Sequence, residues 1–320
     1  MSEDGFHKGT SNSTKMDIKR QLKLLFPEIY IWSSTRQIRR HAGMSEEEVR
    51  KEIARLYKYY LHRDLDWDNL QSYTEKMQWK KLYYINPLEK VVSDKYAVRD
   101  WVAEKIGEEY LIPMLGVWDR FDDIDFSRLP DRFVLKTTHA SANIVIVKDK
   151  GHFDKKMAAL MFKLWLSIDY AYASFEMNYK DIPRRILAEQ YMEDQRGELP
   201  DYKFMCFDGK PYCCWVDQGR FTNHTRDIFD MDWNLMPFSQ HFPNSGAPIS
   251  KPANFDKMIE IATTLAEGFA HVRVDLYNLD GKIYFGELTF CESSGFCEIN
   301  PIEYDNKMGD LWHLPIETIM

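Results

Sequence analysis

The feature of this sequence that most constrains its fold is residues 271–289, which read as two short strands joined by an Asp-Gly turn. In the first strand, apolar residues at every second position alternate with Arg273 and Asp275, so one face is apolar and the other carries a guanidinium beside a carboxylate. In the second strand, Glu287 and Thr289 share a face. The pattern predicts a hairpin with one buried face and one charged face.

The register of this hairpin decides whether its two carboxylates meet. A two-residue Asp-Gly loop pairs Asp275 with Gly286 and turns Glu287 to the other face. A three-residue loop, or one bulge, pairs Asp275 with Glu287 directly, and we expect this second arrangement. Because opposed carboxylates repel, a cation should lie between them. Mg²⁺ is the simplest choice, since it takes one or two carboxylates plus phosphate oxygens and waters. An ordinary solvated hairpin is the alternative.

Composition excludes several classes of protein. The 320 residues are enough for one large domain or two to three small ones with a substantial core. A net charge of -8 argues against binding along a nucleic-acid backbone, which depends on clustered Lys and Arg. No apolar segment approaches the roughly 18 residues needed to cross a bilayer, and no signal peptide is evident. We therefore expect a cytoplasmic protein, for which any membrane association would be peripheral.

The cysteines argue against a zinc site. There are five of them, an odd number, without C-x-x-C spacing. Cys213 and Cys214 lie in an apolar run, where buried thiols of a reduced compartment are the expected explanation.

Two lysines occupy positions suited to phosphate binding. A polar cap at 93–94 and a stop at Gly107 predict a helix with Lys95 in its first turn. A lysine there opposes the helix dipole unless it binds an anion together with the N-terminal amides; a plain surface position is the alternative. Lys136 ends a strand before the loop 137–143, whose small residues let backbone amides approach a phosphate. The sequence has neither G-x-G-x-x-G nor a Walker A motif, which excludes the usual Rossmann and P-loop sites.

The rest of the chain reads as alternating helices and strands. Caps and periodicity predict a disordered tail at 1–15, helices at 45–60, 72–84, 154–178 and 254–267, a strand at 185–192, a hairpin at 199–216 with Lys203 on its first strand, and an irregular segment at 217–252. The strand at 185–192 ends in Glu189, Gln190, Tyr191 and Met192, which could offer an adenine backbone groups and an apolar wall. His139 and His224 are acid/base candidates, although a solvent-facing loop histidine is the commoner case.

These positions, in this order, resemble the ATP-grasp superfamily. Longer stretches are similar to its TupA-like family, which is associated with teichuronopeptide and other surface-polysaccharide synthesis; they are residues 69–83, 94–99, 133–136, 201–203, 273–277 and 286–290. The resemblance covers residues 65–300 and implies an α+β fold, the ATP-grasp fold, in which two α+β subdomains clasp ATP. The expected divisions are a helical N-terminal region at 16–93, a first subdomain at 94–188 and a second, with the metal site, at 189–320.

The resemblance also implies a role for each candidate residue. ATP would be bound by Lys95, Lys136 and Lys203 at the phosphates, by Ser141 in the small-residue loop, and by Glu189, Gln190, Tyr191 and Met192 at the adenine. Mg²⁺ would be held by Asp275, Glu287 and Thr289, the last standing where many members have Asn. Arg273 would be catalytic, steadying the reacting phosphoryl and acyl oxygens. The ribose ligand stays open among Glu193, Asp194 and Glu198.

The implied activity is that of an ATP-dependent carboxylate-amine ligase with ATP and Mg²⁺ as cofactors. An acyl phosphate would form with release of ADP, and an amine would then displace phosphate. By family analogy the carboxylate could be a sugar uronate and the amine an amino acid, in capsule or O-antigen synthesis, with peripheral contact to a membrane assembly complex. The alternatives are a metal-dependent glycosyltransferase, although none of the four D-x-D sequences ends an apolar strand, and a non-catalytic nucleotide-binding or scaffold protein.

Overall fold

A computed structural model describes residues 20–84, 86–195, 197–219 and 224–314. The tail predicted to be disordered lies outside the described residues. The helices are α1 (Pro27–Ala42), α2 (Glu46–Leu61), α3 (Tyr73–Tyr83), α4 (Pro87–Ser93), α5 (Val98–Ile106), α6 (Lys155–Leu166), α7 (Ala171–Ser174), α8 (Phe255–Ala266) and α9 (Ile302–Leu311). The strands are β1 (Met114–Trp118), β2 (Phe133–Thr137), β3 (Ile144–Val147), β4 (Ile186–Gln190), β5 (Asp201–Phe207), β6 (Lys210–Gln218), β7 (Thr225–Phe229), β8 (Ser239–Gln240), β9 (His271–Leu279), β10 (Lys282–Thr289) and β11 (Ile299–Asn300).

Two helices of the N-terminal region, α2 and α3, begin within a residue of the predicted starts at Ser45 and Ser72. Ser45 and Glu48 form a reciprocal capping box at the start of α2, and Ser72 and Glu75 form a second one at α3. Each box satisfies two backbone donors that the first helical turn leaves free. None of the helices in the described part of the chain is long and apolar enough to span a bilayer.

The first sheet has four antiparallel strands in the order β1-β4-β2-β3. Alternate residues of β2 and β4 point to one side, where Phe133, Leu135, Ile186 and Ala188 pack with Phe162 of α6. The other side of β2 and β4 carries charged residues. The helix packs on only one face of the sheet, which leaves the second face available to form a site.

The second sheet has five antiparallel strands in the order β10-β9-β5-β6-β7. Its apolar side chains, among them Val274 of β9 and Phe204 of β5, are fully buried together with Phe255 and Leu265 of α8. Burial of this face is the main stabilising contribution to this half of the chain. The opposite face is polar, as the alternation in residues 271–289 predicts. The divisions at residues 93 and 188 stay a prediction.

The hairpin of β9 and β10 has the predicted pairing of carboxylates, and a bulge produces it. The turn is a two-residue loop in which Asp280 and Gly281 both have positive φ, at 50° and 90°. The register then shifts at Gly286, so that Glu287 lies directly opposite Asp275. A Cβ atom on Gly286 would lie 3.0 Å from the Asp275 carbonyl oxygen. The bulge therefore accommodates glycine, and any other residue would fit only if the neighbouring backbone shifted.

Several predicted elements differ from the structure. The predicted helix at 93–107 begins later than its proposed cap at Ser93 or Asp94: α4 ends at Ser93, the Asp94 side chain accepts the backbone N–H of Tyr96 in a turn, and α5 begins only at Val98. The predicted helix at 154–178 is split into α6, α7 and a 3-10 turn. The segment 217–252, predicted to be irregular, contains the edge strand β7. Asn254 precedes α8 but does not cap it, since its side chain bonds to the β9–β10 turn instead.

Candidate active site

An open cleft between the two sheets collects charged residues from distant parts of the chain. Among the residues that line it are Lys95, Lys136, Glu189 and Glu287. Lys136 and Glu189 belong to β2 and β4 of the first sheet, and Glu287 belongs to β10 of the second. The space not filled by protein atoms in this cleft is about 420 Å³, including the part that is open to solvent. The fold thus brings three of the predicted phosphate and metal residues to one cavity.

Glu189 is held between two cations on the cleft wall. Its Oε2 atom lies 2.6 Å from Lys136 Nζ and its Oε1 atom 3.3 Å from Arg99 NH1. Arg99 is fixed in turn, because it donates to the Ile112 carbonyl at 2.8 Å. The Glu189 side chain is only 8% exposed, so this ion pair is poorly screened. The strand β4, whose end is predicted to bind adenine, therefore directs the Glu189 carboxylate to Lys136, a residue predicted to bind phosphate. The sequence interpretation did not predict the role of Arg99.

Lys95 lies in the turn before α5, at the edge of the loop 137–143. Its Nζ atom donates to the Ala140 carbonyl at 2.8 Å and lies 3.8 Å from Glu287 Oε2. Its backbone N–H bonds to Thr138, so the loop 137–143 and this turn are tied together. Burial lowers the pKa of Lys95, and Glu287 only partly offsets the effect. The predicted helix-terminus geometry is wrong, but the lysine still points to the loop.

The polar face of the second sheet carries a row of alternating charges. Glu287, Asp275 and Lys203 lie on three neighbouring strands and face each other directly. Lys203 Nζ is 2.8 Å from Asp275 Oδ2 and also bonds to Asp201. Lys203 and Asp275 are almost completely buried behind Glu287. The ladder register alone, fixed by the Gly286 bulge, assembles this row.

Arg273 joins the row from the next position on the same face. Its guanidinium donates twice to Asp275, at 2.6 Å each, and once each to Glu287 at 3.1 Å and Thr289 at 3.0 Å. It also pairs with Glu292, a buried carboxylate just after β10. Burial alone would lower the pKa of Arg273, but Asp275 overcomes it and the pKa is raised. The cation between the two carboxylates in this structure is thus the guanidinium.

A family model of TupA-like ATP-grasp proteins matches residues 75–313, which include the cleft and the charged row. The chain belongs to the TupA-like ATP-grasp family. No curated protein is a significant match to it.

Several solved ligase structures are distantly similar to this ATP-grasp chain. A D-alanine–D-alanine ligase from Bacillus anthracis complexed with ATP is 16% identical, with 62% of this chain and 53% of that one covered and a TM-score of 0.37. An N5-carboxyaminoimidazole ribonucleotide synthetase in complex with ADP is 14% identical, with 68% and 50% covered and a TM-score of 0.41. An L-amino acid ligase from Bacillus licheniformis is 13% identical, with 64% and 44% covered and a TM-score of 0.40. The chain thus spans about half the length of these ligases.

The carboxylate pair of this ATP-grasp protein fits Mg²⁺, which the fold family implies. Asp275 and Glu287 carry hard oxygen donors on adjacent strands; half-buried Glu287 lines the cleft, whereas both Asp275 oxygens accept from Arg273 and would exchange that guanidinium for the ion. Thr289 Oγ1 lies 3.2 Å from Glu287 Oε1, so its hydroxyl belongs to the same oxygen cluster. The described residues include no group of three or more His, Cys, Asp or Glu side chains around one ion position. Mg²⁺ does not need one, since substrate phosphates and waters usually complete its octahedron.

The residues after Glu189 form the end of β4 and an apolar wall. Gln190 is exposed, and its backbone N–H donates to the Pro113 carbonyl at 3.0 Å. Tyr191 stacks under the Arg132 guanidinium at 4.2 Å. Met192 packs against Ile112, Leu279 and Tyr284. None of Gln190, Tyr191 and Met192 is among the residues that line the cleft, and their binding of adenine stays a prediction.

The loop 137–143 is closed by a backbone bond in which the Thr137 N–H donates to the Asn143 carbonyl at 3.1 Å, and the Thr138 N–H donates to the Arg185 carbonyl at 3.0 Å. Ser141 is half-buried in this loop, and ATP binding by Ser141 stays a prediction. His139 is buried rather than solvent-facing, with Nε2 3.2 Å from the Trp165 carbonyl oxygen. Burial lowers the pKa of His139 to about 4, so the imidazole is neutral near pH 7. A neutral, buried imidazole argues for a structural role.

Other candidates lie around the site in different settings. Of the open ribose set, Glu193 pairs with Arg132 at 2.6 Å, and Asp194 accepts the backbone N–H of Glu198 at 2.9 Å. His224 lies 3.6 Å from Asp217 at the far end of the charged face. Sequence reasoning missed the buried ion pair of Asp217 with Arg226 and the buried partner of Arg273, Glu292. No motif marks these residues, since burial of a charged side chain becomes visible only in the folded structure.

Proposed function

We propose that this chain is an ATP-dependent carboxylate-amine ligase that works through an acyl phosphate. The observation that carries the proposal is the convergence of Lys95, Lys136 and Glu287 on one cleft between the sheets, backed by the buried Arg273–Asp275–Lys203 row. Two lysines in the cleft suit a triphosphate, and paired carboxylates suit its divalent counter-ion. Family membership supports the same chemistry.

The reaction would proceed in two substitutions. A substrate carboxylate oxygen attacks the γ-phosphorus of ATP, the bond to the β–γ bridging oxygen breaks, and ADP leaves. An amine nitrogen then attacks the acyl carbon, the carbon–oxygen bond to phosphate breaks, and the nitrogen loses a proton to solvent or to the departing phosphate. Such chemistry depends on positioning and charge neutralisation more than on a protein nucleophile.

The residues of the cleft would divide the work. Lys136 would exchange Glu189 for a phosphate oxygen, and Lys95 would exchange the Ala140 carbonyl for another. Arg273 would hold Glu287 in place and steady charge that develops on the transferred phosphoryl group. Mg²⁺, held by Asp275 and Glu287 with Thr289, would supply neutralising charge at the β- and γ-phosphates when bound. Lys203 is bonded to two carboxylates, so its role would be to keep Asp275 oriented.

The substrates we propose are a sugar uronate as the carboxylate and an amino acid as the amine. This choice is supported by the surface-polysaccharide association of the TupA-like family. Precursors of such polymers are made in the cytoplasm, which is where we place the protein. Family resemblance supports the class of substrate and not the particular sugar or amino acid, since one fold hosts many substrates.

The test is ADP release, measured by a coupled assay with ATP, Mg²⁺, a panel of uronic acids, and pooled amino acids. We expect release that requires both co-substrates and is abolished by Glu287→Gln. Glu298→Gln is the matched control, because Glu298 is exposed and lies outside the cleft. Absence of ADP release with every carboxylate, despite Mg²⁺-dependent ATP binding, would favour a protein that only binds nucleotide.

The glycosyltransferase alternative finds no support in the D-x-D sequences. The Asp230 side chain accepts the backbone N–H groups of Asp232 and Asn234, and Asp125 accepts that of Ser127. These carboxylates therefore close turns, and none of them is among the residues lining the cleft. Sugar transfer from a nucleotide-sugar in the absence of ATP would reverse the ranking.

A further inference from the structure

An exposed apolar stripe runs along the first described helical segment. Five large side chains within eleven residues are between 50% and 69% exposed; they are Leu22, Leu25, Phe26, Ile29 and Trp32. Residues 20–25 are helical, Phe26 interrupts the helix with φ at -126° and ψ at 60°, and α1 then begins at Pro27. The other exposed large apolar side chains of the described residues are scattered singly or in pairs over the rest of the chain. Single exposed apolar residues need no explanation, but a contiguous patch marks an interaction surface.

The stripe continues into arginines at the same spacing. Within α1 the positions 29, 32, 36 and 39 are spaced by three, four and three, which keeps them on one side of that helix. The first two are apolar, and the last two are Arg36 and Arg39. Both arginines are exposed and make no ion pair with the residues that the structure describes. The exposed face of α1 is therefore apolar in its first turns and cationic towards its end, and Leu22 and Leu25 add apolar side chains from the helical segment before Phe26.

The opposite side of the helix is fixed to the protein, so the stripe is held facing outward. Ile31 and Thr35 are buried, and His41 Nδ1 lies 2.9 Å from the Tyr172 carbonyl oxygen while its ring stacks on Phe175. Glu28 pairs with Lys163 of α6 at 2.5 Å. A helix that packs on one side and exposes large apolar groups on the other is missing a partner for the exposed side.

Charge decides which partner fits. Residues 20–42 hold five Lys or Arg and one Glu, in a chain whose net charge is -8. A second copy bound through the same stripe would place Arg36 and Arg39 against their equivalents or against apolar side chains, both unfavourable. An anionic lipid surface accepts the apolar groups at its acyl boundary and the arginines at its phosphates, and it suits Trp32 at the headgroup level.

We propose that this stripe, Leu22 to Trp32 with Arg36 and Arg39, docks the protein flat on an anionic membrane surface. The helix would lie in the interface plane without crossing the bilayer. This inference is independent of the proposed function, since none of these residues lines the cleft.

The test is flotation of the full chain with vesicles of phosphatidylglycerol and phosphatidylcholine in equal amounts, against vesicles of phosphatidylcholine alone. We expect binding to the anionic vesicles only. Replacing Leu25, Ile29 and Trp32 together by Ser should weaken vesicle binding about 100-fold or more, because the burial of three large apolar side chains in the membrane is lost. Arg36→Gln with Arg39→Gln should weaken it about fivefold for each arginine and remove most of its salt dependence.

A matched control replaces three exposed apolar residues elsewhere by Ser: Tyr59, Leu235 and Ile302. This variant should float like the wild type, and both triple variants should keep the wild-type unfolding midpoint and ATP affinity. The proposal is overturned if the wild type does not float, if it floats equally with neutral vesicles, or if the stripe variant floats unchanged. It is also overturned if sedimentation shows a dimer that the stripe substitutions convert to a monomer.

Discussion

Replacing Glu189 by Gln tests whether Lys136 pairs with Glu189 in the absence of nucleotide and exchanges this carboxylate for a phosphate oxygen when ATP binds. The substitution keeps the shape of the side chain but leaves Lys136, at 2.6 Å, and Arg99, at 3.3 Å, facing a neutral amide. Removing one partner of a buried ion pair costs about 3–5 kcal/mol. The side chains of Lys136 and Arg99 are 16% and 14% exposed, so water partly screens them, and the amide oxygen of Gln still accepts one hydrogen bond. We therefore expect the free energy of unfolding to fall by about 2–3 kcal/mol.

The assay is urea unfolding with and without ATP and Mg²⁺. Without nucleotide, the variant should lose the expected free energy of unfolding. With nucleotide, it should recover part of that loss, because phosphate oxygens supply the negative charge that Lys136 lacks, and bound ligand stabilises the folded state by mass action. ATP should therefore stabilise Glu189→Gln more than it stabilises the wild type.

The control is Glu267→Gln, which removes an exposed pair with Lys105 at 3.6 Å and should change stability by less than about 0.5 kcal/mol. Wild-type stability in Glu189→Gln would refute the ion-pair argument. A normal stability loss with no extra gain from ATP would instead show that Lys136 does not exchange its partner for phosphate.

Three further predictions concern the second sheet and the loop. Arg273→Lys should abolish ADP release and lower the free energy of unfolding by about 2 kcal/mol, since buried Glu292 and Asp275 lose the bidentate donor, whereas Arg39→Lys should change neither. Gly286→Ala should reduce ADP release more than it reduces stability, because a Cβ atom 3.0 Å from the Asp275 carbonyl displaces the bulge that aligns Glu287; unchanged activity would contradict the register argument. His139 has a pKa lowered to about 4 against 6.5 in its ordinary state, so the unfolded chain binds the extra proton and stability falls as pH drops from 6.5 to 4. At pH 5 this should amount to about 2 kcal/mol in urea unfolding and be absent in His139→Gln, while exposed His152, whose pKa is raised by Asp149, serves as the control of opposite sign.

Local sequence determined the elements whose causes are local. The capping box at Ser45 was readable because the two capping residues are three positions apart, and the box at Ser72 has the same spacing. The alternation in 271–289 likewise predicts a strand with a buried and a charged face, and the hairpin of β5 and β6 follows from its Asp-Gly turn. Boundaries were less readable, as the break between Ser93 and Val98 shows, because one Asp94 hydrogen bond decides it.

The family could be recognised from the sequence, since short stretches carry its pattern, and the match over residues 75–313 confirms it. Partners within the site could not be read in this way. The Glu189–Lys136–Arg99 cluster joins a helix to two strands of one sheet, and the carboxylate of Glu292 reaches Arg273 from outside the hairpin. Such contacts depend on packing between elements far apart in the chain.

The sequence by itself determined which residues carry charge and on which face of a strand each one lies, since alternation has a period of two. Only the tertiary structure decided which charges meet. The Gly286 bulge sets Glu287 against Asp275, and the guanidinium of Arg273 then fills the space between them. The physical reason is that a register shift of one residue reverses every side chain beyond it, and steric fit at one glycine chooses the shift.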